Sequence, residues 1–373
     1  MSTQLDNAAA PAQAAADLPP LPDLDPKRGA LRRRLSGWSR LIWPLAALAL
    51  ILIFNYLFTP GFFHIIARNG RVYGSPIDVL NRGAPVMLLA LGMTLVIATG
   101  GIDLSVGSVM AMSGALAAVL IARPPDASLS VVNLHGNVPV IVALALLAAL
   151  AAGIWNGVLV AWVRVQPIVA TLILMVAGRG IARLITNNQH VRFTNETFSA
   201  ISSSAFLGLP LTVTIVAVTG VVLGLLCRAT ALGLFIESVG NNPVASRYSG
   251  VSARSVRMLC YTLCGLCAGI AGLIATADIR EADPSSAGLY LELDAILAVS
   301  IGGTALTGGR FSLAGSLVGA LVIQALRTTF LTHAVPTAVY LMTEAGVVIV
   351  VCLLQSDVFR AKVLRPLSGR AAS

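Results

Sequence analysis

Charge is scarce in this sequence. Only 11 % of its 373 residues are Asp, Glu, Lys or Arg, against about 25 % in a soluble domain. Lysine is confined to Lys27 and Lys362, one in each flank. A soluble two-domain chain is excluded, because no polar linker separates two cores. The chemical motifs are missing too. No GxxxxGK[ST] run is present to cradle a nucleotide phosphate, and no HExxH pair to hold zinc. The glycine pairs of IGGTALTGGRF (Gly302, Gly303, Gly308, Gly309) follow no strand pattern and precede no lysine. Five cysteines imply no disulfide framework. Cys260, Cys264 and Cys267 share a helix face by their i, i+4, i+7 spacing. With no fourth ligand evident, small apolar packing residues fit them better than a metal cluster. The chain therefore has no catalytic centre of its own, and its energy source is an ion gradient or another subunit.

Apolar residues fill the space that charge leaves. They make up 57 % of the chain, in runs near the roughly 20 residues that a membrane-crossing helix needs. The pattern predicts an all-α polytopic membrane protein. Helices are expected near 41–59, 84–99, 104–122, 138–162, 168–187, 209–231, 258–278, 293–306, 312–331 and 337–355, which makes about ten crossings. Residues 1–40 are expected to form a disordered basic tail and 356–373 a second basic tail, flanking a permease-like domain at 41–355. If the N-terminus is cytosolic, alternation places 16 of the 25 basic residues inside, with both termini on that side. The net charge of +9 is thereby assigned to membrane topology and not to nucleic acid. GIWNG, GLCAG and GSLVG each set two glycines four apart, a spacing that lets helix backbones approach closely.

Two polar interruptions stand out. In GMTLVIATGGIDLSVGSVM (92–110), Gly100 and Gly101 end one crossing. Asp103 is expected to cap the next helix by accepting from N–H groups near Ser105 and Val106. The topology puts this hairpin at the cytosolic surface, with either a pure capping role or a part in an inner gate. The second interruption is the cytosolic loop 235–257. Asn242 as N-cap, Pro243 at the first helical position and Gly250 just past the end predict a two-turn helix over Pro243–Ser249. Ser252 is expected to cap the helix that follows. A helix this short needs a surface to dock on, either its own bundle or a cytosolic partner.

These stretches, with ATLILMVAGRG (170–180) and LELDAILAVSIGGTALTGGRF (291–311), resemble the permease subunits of ATP-binding-cassette sugar importers, within the ribose-type family. The run Gly70–Gly107 is most similar to the galactofuranose members. The resemblance implies a bundle like that of the vitamin B12 importer in a bacterial inner membrane, paired with a second copy or a related permease. It implies two ATPase subunits docking from the cytosol and a periplasmic sugar-binding protein delivering a monosaccharide. No cofactor is bound directly, and ATP acts through the partner. It assigns Glu237, Gly240, Asn242, Pro243, Arg247 and Gly250 to the coupling segment.

The last crossing departs from the family pattern, with Leu341 where a polar residue is usual and Glu344 in mid-helix. An acid there is costly in hydrocarbon. It is expected to pair with Arg327, Arg179 or Arg183, to line the sugar path, or to serve a proton-linked function. Thr94, Trp155, Asn156, Thr171 and Arg179 are the other pathway candidates, as polar or aromatic groups on helices. Ribose, xylose and arabinose are alternative sugars, and a gradient-driven secondary transporter is the alternative class.

Overall fold

A computed structural model describes residues 26–68, 71–122, 137–206 and 208–333, and isolated positions from 335 to 353. The chain divides into two units, 1–40 and 41–373, and the second holds the bundle. The helices of the chain are α1 (Pro26–Phe58), α2 (Ser75–Ala98), α3 (Val106–Ala122), α4 (Val138–Val158), α5 (Pro167–Ile185) and α6 (Glu196–Ser203). There follow α7 (Leu211–Ala229), α8 (Leu232–Asn241), α9 (Pro243–Tyr248), α10 (Ala253–Ile279), α11 (Leu291–Ile301) and α12 (Leu313–Thr332). α1 begins at Pro26, inside the segment expected as a tail, and proline suits a first helical turn. Three two-stranded pairings decorate the ends: β1 (Ile66–Arg68) with β2 (Arg71–Tyr73), β3 (Val191–Arg192) with β6 (Glu281–Ala282), and β4 (Ala205–Phe206) with β5 (Leu209–Pro210).

Among the described residues, seven helices are long and apolar enough to cross a membrane, α1 through its stretch Leu41–Phe58. Helices form at nine of the ten expected places, and the tenth, 337–355, falls mostly outside the described residues, Glu344 included. Two of the nine are short. α3 has 17 residues and α11 has 11.

α2 and α10 form the spine. From Gly83 to Ala98, α2 is buried at all but Pro85. α10 packs along α2, α3 and α4 through small residues. Gly153 and Gly157 of α4 leave no room for a Cβ against Tyr261, Thr262 and Met258 of α10, and Gly265 and Gly269 return the fit against Ala149 and Gly153. Without water to drive helices together, such backbone contact supplies the cohesion. α1 and α7 expose most of their apolar side chains, as lipid-facing helices do. α1 is tied to α12 by polar contacts: Asn55 Nδ2 donates to Thr329 Oγ1 (2.7 Å), and Thr59 Oγ1 meets His333 Nε2 (3.0 Å).

Candidate functional site

The two short helices start against each other. After α2 ends, Gly100 takes a φ of +78°, and residues 101–105 run back into the bundle before α3 begins at Val106. From the other end of the bundle, the segment 283–290 descends from β6 to the start of α11. Gly107 and Gly288 meet there so closely that neither could carry a Cβ. α3 then runs toward the β3–β6 end, while α11 runs toward the α8–α9 end, where Gly302 packs on Gly315 of α12.

This arrangement corrects the expected setting of Asp103. Its carboxylate is 1 % exposed and lies beside Tyr261 and Cys264 of α10. Those residues are eight and eleven positions into a 27-residue helix, about 12–16 Å along it. Asp103 thus sits near the middle of the bundle and not at the cytosolic surface. Of the expected N–H donors, Ser105 is the one that bonds Asp103. Asp103 Oδ1 accepts from the Ser105 backbone N–H (2.9 Å) and hydroxyl (2.6 Å) and from Asn156 Nδ2 (3.2 Å). Asn156 Nδ2 also reaches Ser105 Oγ (2.8 Å). Gly101 presses on the Tyr261 hydroxyl, which lies 3.4 Å from Ile102 O. The site thereby joins α3, α4 and α10 through one carboxylate.

Toward the β3–β6 end, a cavity of about 310 Å³ opens between α2, α3, α6, α7, α10 and α12. Most of its lining is apolar, with polar groups set into it from several helices. Asn81 accepts from Thr212, Ser202 donates to Asp278 (2.5 Å), and Gln324 lies near Thr328 (3.4 Å). Arg327, also in the lining, pairs with Asp294 of α11 at 2.8 Å, with both side chains mostly buried. Met110, Gly272 and Gly288 also line it. Its rim carries an exposed ion cluster. Arg192 Nε and His190 Nδ1 each lie 2.7 Å from Glu281, which holds that carboxyl below the ordinary range. Burial pushes the Asp283 carboxyl up, but bonds from the Ser286 hydroxyl and the Ser285 and Ser286 N–H groups outweigh it and leave a net lowering.

The opposite end of the same helices holds the loop read as a coupling segment. Glu237 and Gly240 belong to α8, a helix not anticipated within the loop. α9 then forms where expected, one residue shorter. Asn242 Oδ1 accepts from Val244 and Ala245 N–H (both 3.0 Å), Pro243 is the first helical residue, and Gly250 has a φ of +82°. Ser252 caps α10 through Ser255 N–H. Only Ser246 of α9 is buried; Val244, Arg247 and Tyr248 are exposed, Tyr248 at 90 %. Gly240 is wedged against Ala98 O and Gly309, and Gly309 N–H donates to Ala98 O at 2.8 Å. The α8–α9 segment is thus in direct contact with the end of α2 and with the turn that leads into α12.

The described pathway candidates do not line the cavity. Thr94 bonds Ala90 O (2.6 Å) and Ser316 Oγ (2.7 Å), fastening α2 to α12. Thr171 bonds Pro167 O at 3.0 Å within its own helix. Trp155 is 54 % exposed on the surface of α4. Arg179 donates to Ala287 O (2.5 Å), holding the 283–290 segment, and lies within electrostatic reach of Glu292. Cys260, Cys264 and Cys267 are free, buried thiols on the packed face of α10. Asn81, Ser202, Thr212, Asp278, Gln324 and Glu292 were not anticipated. Gln324 and Arg327, three apart in an apolar run, carried the available signal.

Residues 75–353 match the family described as branched-chain amino acid transport system / permease component. The galactofuranose transporter permease protein YtfT of Escherichia coli is 50 % identical over 325 residues, covering 86 % of this chain and 92 % of that protein. The fructose import permease FruF of Bifidobacterium longum is 40 % identical, covering 85 % and 88 %. The ribose import permease RbsC of Escherichia coli is 36 % identical, covering 84 % and 92 %. No solved structure matches. The chain is an all-α polytopic membrane protein, and it belongs to the branched-chain amino acid transport system / permease component family.

Proposed function

We propose that this chain is the membrane-spanning permease subunit of an ATP-driven importer of a monosaccharide, with galactofuranose as the sugar. One observation carries the transport reading. A cavity with polar groups set into its lining and an exposed, capped helix lie at opposite ends of the same helices, α2, α10 and α12. The identity to a galactofuranose permease, higher than to the ribose and fructose permeases, supports the sugar.

In this reading the cavity faces a periplasmic sugar-binding protein, and its paired polar groups exchange their mutual bonds for sugar hydroxyls. α9 docks with Val244, Arg247 and Tyr248 into one of two ATPase subunits, while Asn242, Pro243 and Gly250 set its geometry. Gly240 carries displacement of α8 to Ala98 and Gly309. Coupling of this kind requires each partner to contact two states differently. A second copy or a related permease completes the membrane unit in the bacterial inner membrane, with α9 and the basic residues Arg228, Arg247, Arg254, Arg257 and Arg310 on the cytosolic side. The permease itself hydrolyses nothing, and ATP acts through the ATPase subunits.

Reconstitution with a candidate ATPase and binding protein tests this directly. ATP-dependent uptake of galactofuranose above ribose and arabinose is expected. Uptake driven by an ion gradient with this chain alone would replace the reading with a secondary transporter. Arg247→Glu is expected to weaken ATPase docking or uncouple hydrolysis from uptake with the permease still inserted. Unchanged ATPase affinity and coupling would remove α9 from the docking role.

A further inference from the structure

Among the described residues, two acceptor atoms buried in the bundle have no hydrogen-bond partner: Asn156 Oδ1 and Glu292 Oε2. Asn156 is 0 % exposed and Glu292 is 7 % exposed. Native structures rarely leave such atoms unpaired, because burial strips their water without replacing it. Both orphans flank the first turn of α3. The Asn156 amide nitrogen is held by Asp103 and Ser105, which leaves its oxygen open. Glu292 Oε2 points at Gly107, on the α11 side of the Gly107–Gly288 contact.

That contact lies between the cavity and the bundle centre. Gly288 belongs to the cavity lining, whereas Asp103, two residues before Ser105, is sealed from it. The contact also joins the N-terminal ends of two helices that begin inside the bundle. Discontinuous helices meeting in this way place positive helix ends and free polar groups where a transporter can hold a passing substrate. The unpartnered groups here are acceptors. A sugar presents hydroxyl donors, so the two sides are complementary.

We propose that Asn156 and Glu292 form an inner sugar subsite, closed in this state by the Gly107–Gly288 contact and entered when the starts of α3 and α11 separate. This rests on the sugar-importer reading above. Glu292 and Asn156 accept hydroxyl hydrogen bonds as the sugar leaves the cavity, and Gly107 and Gly288 lack side chains so that the passage can shut behind it.

The test crosses a variant with substrate analogues in the reconstituted importer, with the delivery protein kept saturated. Uptake is measured for the parent sugar and for each singly deoxygenated analogue, in wild type and in Glu292→Ala. One analogue is expected to pass about tenfold more slowly in wild type, the size of a lost charge-assisted hydrogen bond. Glu292→Ala is expected to slow the parent sugar by a similar factor and to add no further loss for that analogue. A purely structural Glu292 would slow the parent and every analogue alike, so that the losses multiply throughout, and that outcome overturns the subsite. If Glu292→Ala does not accumulate in the membrane, Glu292→Met, which is similar in length and has no acceptor oxygen, replaces it in the same cycle. Failure of wild type to transport any monosaccharide would instead overturn the importer reading.

Discussion

Asp103 and Asn242 do the same local work in opposite surroundings. Each offers a side-chain oxygen to backbone N–H groups two or three residues on, at the approach to a helix. Asn242 does so at an exposed turn, and its bonds stay within α9. Asp103 does so at the centre of the bundle, where the same oxygen also receives Asn156 from α4 and the Ser105 hydroxyl. A capping residue in water organises its own helix. In a low-dielectric interior it becomes a joint between helices, because every donor it satisfies has no water to turn to.

Alanine substitutions should separate the two. Asp103→Ala takes the acceptor from the Ser105 N–H and hydroxyl and one of two acceptors from Asn156 Nδ2, and should destabilise the bundle by about 3 kcal/mol, read as a lower melting temperature in detergent. Asp103→Asn keeps an acceptor oxygen and should retain much of the transport. Complete loss in that variant, with normal folding and ATPase docking, would show that the charge itself is required and end the likeness to Asn242. Gly240→Ala should come next, at about 2 kcal/mol for overpacking, because the added Cβ meets Ala98 O and Gly309. Its signature should be disturbed coupling as well as a lower melting temperature. Asn242→Ala should cost only about 1 kcal/mol, the usual worth of a cap. Faster amide exchange at 244–248 with an unchanged global melt would confirm its confinement, and a global loss comparable to that of Asp103→Ala would break the comparison.

The smallest effect belongs to the exposed rim. Glu281 is held below its ordinary range by Arg192 and His190, so the folded state binds fewer protons there than the unfolded chain. Its stabilising contribution is present above the usual glutamate range, near pH 4, and fades as pH falls through the depressed folded value. Amide exchange at Val191–Arg192 and Glu281–Ala282 should quicken on acidification, and Glu281→Gln should remove that dependence while leaving the bundle intact.

The fold was legible wherever one segment carried its own cause. Asn242, Pro243 and Gly250 bracket α9 by local chemistry, and the apolar runs marked nine helices. α8 was missed although Gly233, Ile236 and Val239 are buried: Gly233 lies against Cys227 at the end of α7, and Ile236 and Val239 join the core built with the other helices. The candidate site was legible only in part. Asp103, Ser105 and Asn156 were all singled out, and the Ser105 N–H bond to Asp103 was expected, but nothing in the spacing brought Asn156 to them. Thr94 and Thr171, named for the path, bond to Ala90 and Pro167 or fasten neighbouring helices. The cavity residues come from six helices, at most a few from each, so no single stretch announces them.

Composition and hydropathy by themselves determined that the chain is a helical membrane protein, because hydrocarbon admits only apolar runs with internally bonded backbones. Local caps determined where α9 begins and ends. Depth was decided only by the tertiary structure. GGIDLS has the form of a surface hairpin, and it re-enters the bundle because Gly107 can lie against Gly288 and Asp103 finds donors on α4 and α10. A polar residue's depth is set by the helices around it, and those partners lie more than fifty residues away in the sequence.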